Sequence, residues 1–153
     1  AIAIALLEGR GFSSSDFRRY HPGGKLGAQL RQVRATMHSG DRLPIAKPKD
    51  SMADAVVTIS SKGFGCVLVI DAQGHLAGLV TDGDLRRHIS PELLSRSVES
   101  VMTRNPKTVP PETLVAEALE IMESRKISSL VIVENQRPVG LIHLLDLLRI
   151  GAA

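Results

Sequence analysis

Apolar residues recur at helical spacing twice in the chain, at the same separation. Met52, Ala55, Val56 and Ile59 form an i, i+3, i+4, i+7 stripe, and Val115, Ala118, Leu119 and Met122 repeat it 63 residues later. The spacing predicts two amphipathic helices, each burying one face. Pro48 and Pro111 precede them, and Asp50 and Thr113 stand where N-caps are expected. The offset of 63 also carries Cys66-Val67-Leu68-Val69-Ile70 onto Ser129-Leu130-Val131-Ile132-Val133, short β-branched runs that read as buried strands.

Polar turns follow both runs, at Asp71-Ala72-Gln73-Gly74 and at Glu134-Asn135-Gln136. Second strands are expected through Gly78-Leu79-Val80 and Gly140-Leu141-Ile142, each feeding a closing helix, Asp82 to Ile89 and Leu144 to Ile150. Pro91 stops the first of these. Lead segments open at Thr36-Met37-His38 and at Val101-Met102-Thr103, and Ser95 to Ser100 connects the halves. The chain therefore reads as a mixed α+β protein of two β-α-β-β-α repeats, spanning 35–94 and 95–153, behind an N-terminal segment 1–34. A repeat of this size has too little apolar surface to stand alone, so the two are expected to pack sheet against sheet about a pseudo-twofold axis, with clefts between them.

Charge changes this picture little. The net charge of +3 comes from the leading segment: residues 1–34 carry six basic and two acidic side chains, and the remainder is close to neutral. No continuous phosphate-tracking face follows from that distribution, and with aromatic residues at 3% a base-stacking platform has little to be built from. Nucleic acid is not the expected partner. The apolar runs Ala1–Leu7, Cys66–Ile70 and Leu130–Val133 are all too short to span a bilayer. With one cysteine and no secretory signal pattern, the expected setting is cytoplasmic. The histidines His21, His38, His75, His88 and His143 lack metal-ligand spacing, so no metal site is expected. Ser13-Ser14-Ser15 ahead of Asp16 and Phe17 reads as a cap or turn rather than a phosphate loop.

The strand-to-helix junction Thr81-Asp82-Gly83-Asp84 has the form of a capping box: hydroxyl to an early helix amide, carboxylate back to the Thr81 amide. The same junction offers amides to an anion, with Gly83 allowing close approach. Arg86 and Arg87 are candidate bidentate partners for phosphate or carboxylate. In the second repeat His143 stands in place of the threonine and only Asp146 matches, so that site is the weaker candidate.

These strings resemble the CBS (cystathionine beta-synthase) domains, modules that commonly sense nucleotides. Gly78-Leu79-Val80-Thr81-Asp82-Gly83-Asp84-Leu85 is similar to their Gly-x-x-Thr-x-x-Asp signature, and Gly140 to Leu147 is a variant of it. Thr81 to Arg87, together with the upstream His21-Pro22-Gly23-Gly24, further resembles the C-terminal part of the arabinose 5-phosphate isomerases of Kdo (3-deoxy-D-manno-octulosonate) biosynthesis. The resemblance implies that Thr81 faces phosphate and Asp84 accepts from ribose hydroxyls. It also implies that His21 is a catalytic group in the full-length oligomer, and that residues 1–34 are a helical remnant of a sugar-isomerase domain. This chain holds no phosphate cradle or carboxylate base for an enediol isomerisation, so it is expected to bind a ligand and not to turn over. The expected ligand is CMP-Kdo acting in feedback control, with AMP or ATP as the alternative, and the expected assembly is a homodimer. A purely structural dimerisation module, and an adenine-nucleotide-sensing pair serving another enzyme, are the competing readings.

Overall fold

The computed structural model describes residues 24–153. Helix α1 (Gly24–Gln29) leads into the first repeat: β1 (Ile45–Ala46), α2 (Met52–Lys62), β2 (Cys66–Ile70), β3 (Leu76–Thr81) and α3 (Asp82–Arg87). A short helix α4 (Val98–Val101) and strand β4 (Thr103–Arg104) connect to the second: β5 (Thr108–Val109), α5 (Val115–Arg125), β6 (Ser129–Glu134), β7 (Arg137–His143) and α6 (Leu144–Arg149). The two-repeat α+β architecture matches the periodicity. Among the described residues, no helix is long and apolar enough to cross a membrane.

Within each repeat the short first strand runs parallel to the second, which pairs antiparallel with the third. Side chains alternate across a strand, so each sheet has two buried faces. Val67 and Val69 face α2 and join Met52, Ala55 and Ile59, whereas Cys66 and Leu68 face the other repeat. In the second repeat Leu130 and Ile132 pack with Val115, Ala118 and Met122, and Val131 and Leu141 turn toward Cys66, Leu68, Leu43 and Phe64. That third cluster joins the repeats sheet to sheet. The hairpin at Asn135 and Gln136 has positive φ at both residues, the twist that suits a two-residue turn between right-handed strands.

The lead segments depart from expectation. Each pairs with the sheet of the other repeat. Thr103–Arg104 extends the first sheet by pairing with β3, and His38 bridges Leu141 of β7, its amide donating to the Leu141 carbonyl at 2.8 Å. The crossing also supplies the helix starts. Asp50 and Thr113 are not the N-caps: Ser51 caps α2, its Oγ accepting from Asp54, and Leu114 begins α5 without a side-chain cap. The Val115 amide instead donates to the Arg31 carbonyl at 2.8 Å, and the Met52 amide donates to that of Arg96 at 2.9 Å. Exchanged backbone carbonyls thus satisfy orphan amides that a side chain would otherwise serve.

Gly78 and Gly140 admit the crossing chains. A Cβ on Gly78 would lie 2.6 Å from Met102 Sδ and 2.8 Å from the Thr103 carbonyl oxygen, and one on Gly140 would collide with Met37. Helix α1 follows the same exchange. Its Ala28, with Val33 beyond it, is buried in the second repeat's core, and Gln29 donates to the Ala152 carbonyl at 3.0 Å.

Candidate functional site

Both closing helices open with a capping box, and both carboxylates are buried. Asp84 Oδ2 accepts from the Thr81 amide at 2.9 Å and from the Thr81 hydroxyl at 3.2 Å. Its Oδ1 accepts from the Thr103 hydroxyl and from Arg87, each at 2.6 Å. Burial alone would raise this carboxyl. The hydrogen bonds, led by that from Thr103, outweigh it and hold Asp84 below its ordinary value. The second repeat reproduces the arrangement with different chemistry. Asp146 accepts from the His143 amide at 2.8 Å and from His38 Nε2 at 2.9 Å, and Arg149 lies 3.8 Å away. Each aspartate therefore ties the start of its own helix to the lead segment of the opposite repeat.

Between the repeats lies a cleft of about 730 Å³. Thr81, Asp82, Gly83, Asp84, Arg86 and Thr103 form one wall, and Lys107, Arg125, Lys126, Ser128, Ser129 and His143 the other. Among the described residues, none of Arg86, Lys107, Arg125 and Lys126 is in an ion pair. Cations thus face each other across the cleft, beside the exposed carboxylate of Asp82. Lys126 holds the left-handed conformation, φ 55° and ψ 46°, where the equivalent residue of the first repeat is Gly63 at φ 80°. A lysine costs about 1 kcal/mol more than glycine in that region.

The cleft brings together Thr81, Asp82, Gly83, Asp84, Arg86 and His143 of the predicted set. Arg87 is not among its lining residues, because its guanidinium turns back onto Asp84. Asp146 lines a smaller, second cleft instead, with His143 shared between the two. His21 and Ser13-Ser14-Ser15 lie outside the described residues. Lys107, Arg125 and Lys126 were not singled out as site residues. The repeat offset of 63 carried a usable signal, since it sets Lys126 against a glycine at a helix end.

Cys66, on the cleft floor, is buried, and burial pushes its thiol up to about 12, with the Asp82 charge adding to the rise and a hydrogen bond with Ser129 opposing it.

The CBS domain profile matches residues 31–91 and 98–153. The arabinose 5-phosphate isomerase of Pseudomonas aeruginosa is 48% identical over 99% of this chain, which corresponds to 48% of the relative. The chain spans about half the length of the curated relatives it matches. Among solved structures, an uncharacterized conserved protein from Pyrococcus horikoshii superposes with a TM-score of 0.69 at 30% identity, covering 78% of this chain and 91% of that one. CBSX2 in complex with AMP shares the fold, with a TM-score of 0.68 at 24% identity, covering 77% of this chain and 93% of that one. The duplicated repeat, the paired capping boxes and the profile covering both halves agree, and the chain belongs to the CBS-domain family as a tandem pair.

Proposed function

We propose that this chain is the nucleotide-sensing regulatory part of an arabinose 5-phosphate isomerase, the enzyme that interconverts ribulose 5-phosphate and arabinose 5-phosphate for Kdo and lipopolysaccharide synthesis. The observation that carries the reading is the larger cleft, with cations on both walls that are in no ion pair among the described residues. Opposed cations suit a ligand with two separated anionic groups. CMP-Kdo has that form, a phosphate and a sugar carboxylate on one nucleotide, and feedback by a pathway end product gives such a site a purpose. The phosphate is assigned to Arg86 beside the Gly83 turn, since the Thr81 amide and hydroxyl both donate to Asp84. The carboxylate falls to Lys107, Arg125 and Lys126, because Arg87 is committed to Asp84. The ribose diol is assigned to the Asp82 and Asp84 wall, where Asp82 has the open acceptor capacity.

AMP or ATP is the second choice, supported by the AMP held in CBSX2. No cofactor is assigned. The exposed apolar residues Ile89, Leu145 and Leu148 support a homodimer built through the closing helices, and the setting is taken to be cytoplasmic. The chain alone is not assigned isomerase activity. In the full-length oligomer His21 is assigned a catalytic role.

Titration calorimetry tests the reading. CMP-Kdo is expected to bind the 153-residue chain more tightly than ATP or AMP, and Lys126→Ala to weaken CMP-Kdo more than AMP. Tighter binding of ATP reverses the ranking. Failure of every nucleotide to bind leaves the dimerisation module as the better account.

A further inference from the structure

The second cleft is the pseudo-twofold counterpart of the first, yet it measures only about 170 Å³. The repeat offsets explain the loss of room. His38 stands where the first cleft has Thr103, His143 where it has Thr81, Phe64 where it has Ile127, and Leu145 where it has Gly83. Each replacement is larger. The rings of His38 and Phe64 pack together with centroids 4.9 Å apart, filling the space that an extended ligand would need. Pockets for drug-sized molecules run to about 300–1,000 Å³, a range that the first cleft meets and the second does not.

The second cleft is nevertheless lined by cations. Arg42, Lys62 and Arg149 line it, at the positions of Lys107, Arg125 and Arg87. Arg42 has no ion-pair partner among the described residues. Lys62 donates to the Asp41 backbone carbonyl at 2.5 Å and is in no ion pair among the described residues. The carboxylate in the lining, Asp146, is already bonded to His38 and to the His143 amide, and Arg149, which lies 3.8 Å from it, has a side chain that is 74% exposed. His143 Nδ1 accepts from the Leu145 amide at 3.0 Å, so in the neutral ring the proton sits on Nε2, free to donate. The site lacks the volume for a nucleoside and holds donors for a charge.

We infer that the second cleft binds a compact oxyanion, inorganic phosphate or a short phosphate monoester, through Arg42, Lys62, Arg149 and His143. Occupancy does not require a nucleotide in the first cleft. His143 and Phe64 border both clefts, so an anion held here presses on the wall of the larger one.

The test is amide NMR on the 15N-labelled 153-residue chain, titrated with inorganic phosphate and with ribose 5-phosphate against chloride of equal ionic strength. Saturable shifts at Gly63, Phe64 and Leu145 are expected for both phosphates and not for chloride. The double variant Arg42→Gln, Lys62→Gln, which alters two exposed side chains, is expected to weaken phosphate binding by roughly tenfold or more. Its calorimetric titration with CMP-Kdo and AMP should match that of the parent chain. Non-saturating shifts, equal shifts with chloride, or undiminished phosphate binding by the double variant would each overturn the inference. Absence of nucleotide binding, with phosphate binding intact, would overturn only the reading of the first cleft.

Discussion

Replacing Asp84 by Asn perturbs the joint between the first closing helix and the crossing segment of the second repeat. Asn keeps one acceptor oxygen. If that oxygen serves the Thr81 amide, the Thr103 hydroxyl and Arg87 lose their acceptor; if it serves them, the Thr81 amide meets an NH2 group. A neutral hydrogen bond contributes about 0.5–1.5 kcal/mol, and one to a charged group about 1.5–3 kcal/mol. The Arg87 side chain is 64% exposed, so solvent screening limits its share to at most about 1 kcal/mol. The expected loss is about 2–3 kcal/mol, equivalent to a fall in Tm of roughly 5–10 °C for a chain of this size.

The pH dependence isolates the charge. Because the folded carboxyl lies below its ordinary value, the unfolded state takes up the proton first. The stabilisation is complete above the unfolded value of about 3.9 and is lost as the pH falls through the folded one. Urea titrations followed by far-UV circular dichroism should therefore show a constant gap between parent and variant from about pH 5 to pH 8, closing as the pH drops below about 4. A gap under about 0.5 kcal/mol at neutral pH, or one unchanged down to pH 2, would refute the assignment of the carboxylate as the joint.

Three other outcomes are expected. Lys126→Gly should stabilise the fold by about 1 kcal/mol in urea by relieving the left-handed lysine, while weakening CMP-Kdo in calorimetry; a destabilised variant would remove the strain argument. Gly78→Ala should destabilise by about 1–3 kcal/mol, because the Thr103 carbonyl oxygen that its Cβ meets at 2.8 Å is backbone and cannot swing aside; a neutral result in thermal melts would show that the crossing segment is loose. Cys66, with its thiol pushed up to about 12, should react with Ellman's reagent at pH 8 at least about a thousandfold more slowly in the native chain than in denaturant, and fast native labelling would contradict its burial.

Repeat, element order and the capping box of the first closing helix were legible in the sequence, because each rests on local physics. An apolar stripe at 3.6-residue spacing or a β-branched run needs no partner to declare itself, and a hydroxyl and a carboxylate three residues apart can reach the same helix start. Thr81, Asp82, Gly83 and Arg86 could be placed on one cleft wall for the same reason.

The exchange of lead segments was decided only in three dimensions. Its hydrogen bonds join residues far apart, Thr103 to Asp84 and His38 to Asp146, and nothing in either neighbourhood names the distant partner. The repeat offset concealed it further, since the helices and first long strands correspond at 63 residues, the closing boxes at 62 and the crossing segments at 65. The opposite cleft wall of Lys107, Arg125 and Lys126 was hidden likewise, because charged residues at strand and helix ends read as solvated surface until the second repeat folds over them. The unequal clefts also follow from packing. Phe64, His38 and His143 are ordinary residues along the chain, and they fill a site only because the pseudo-twofold brings all three to one point.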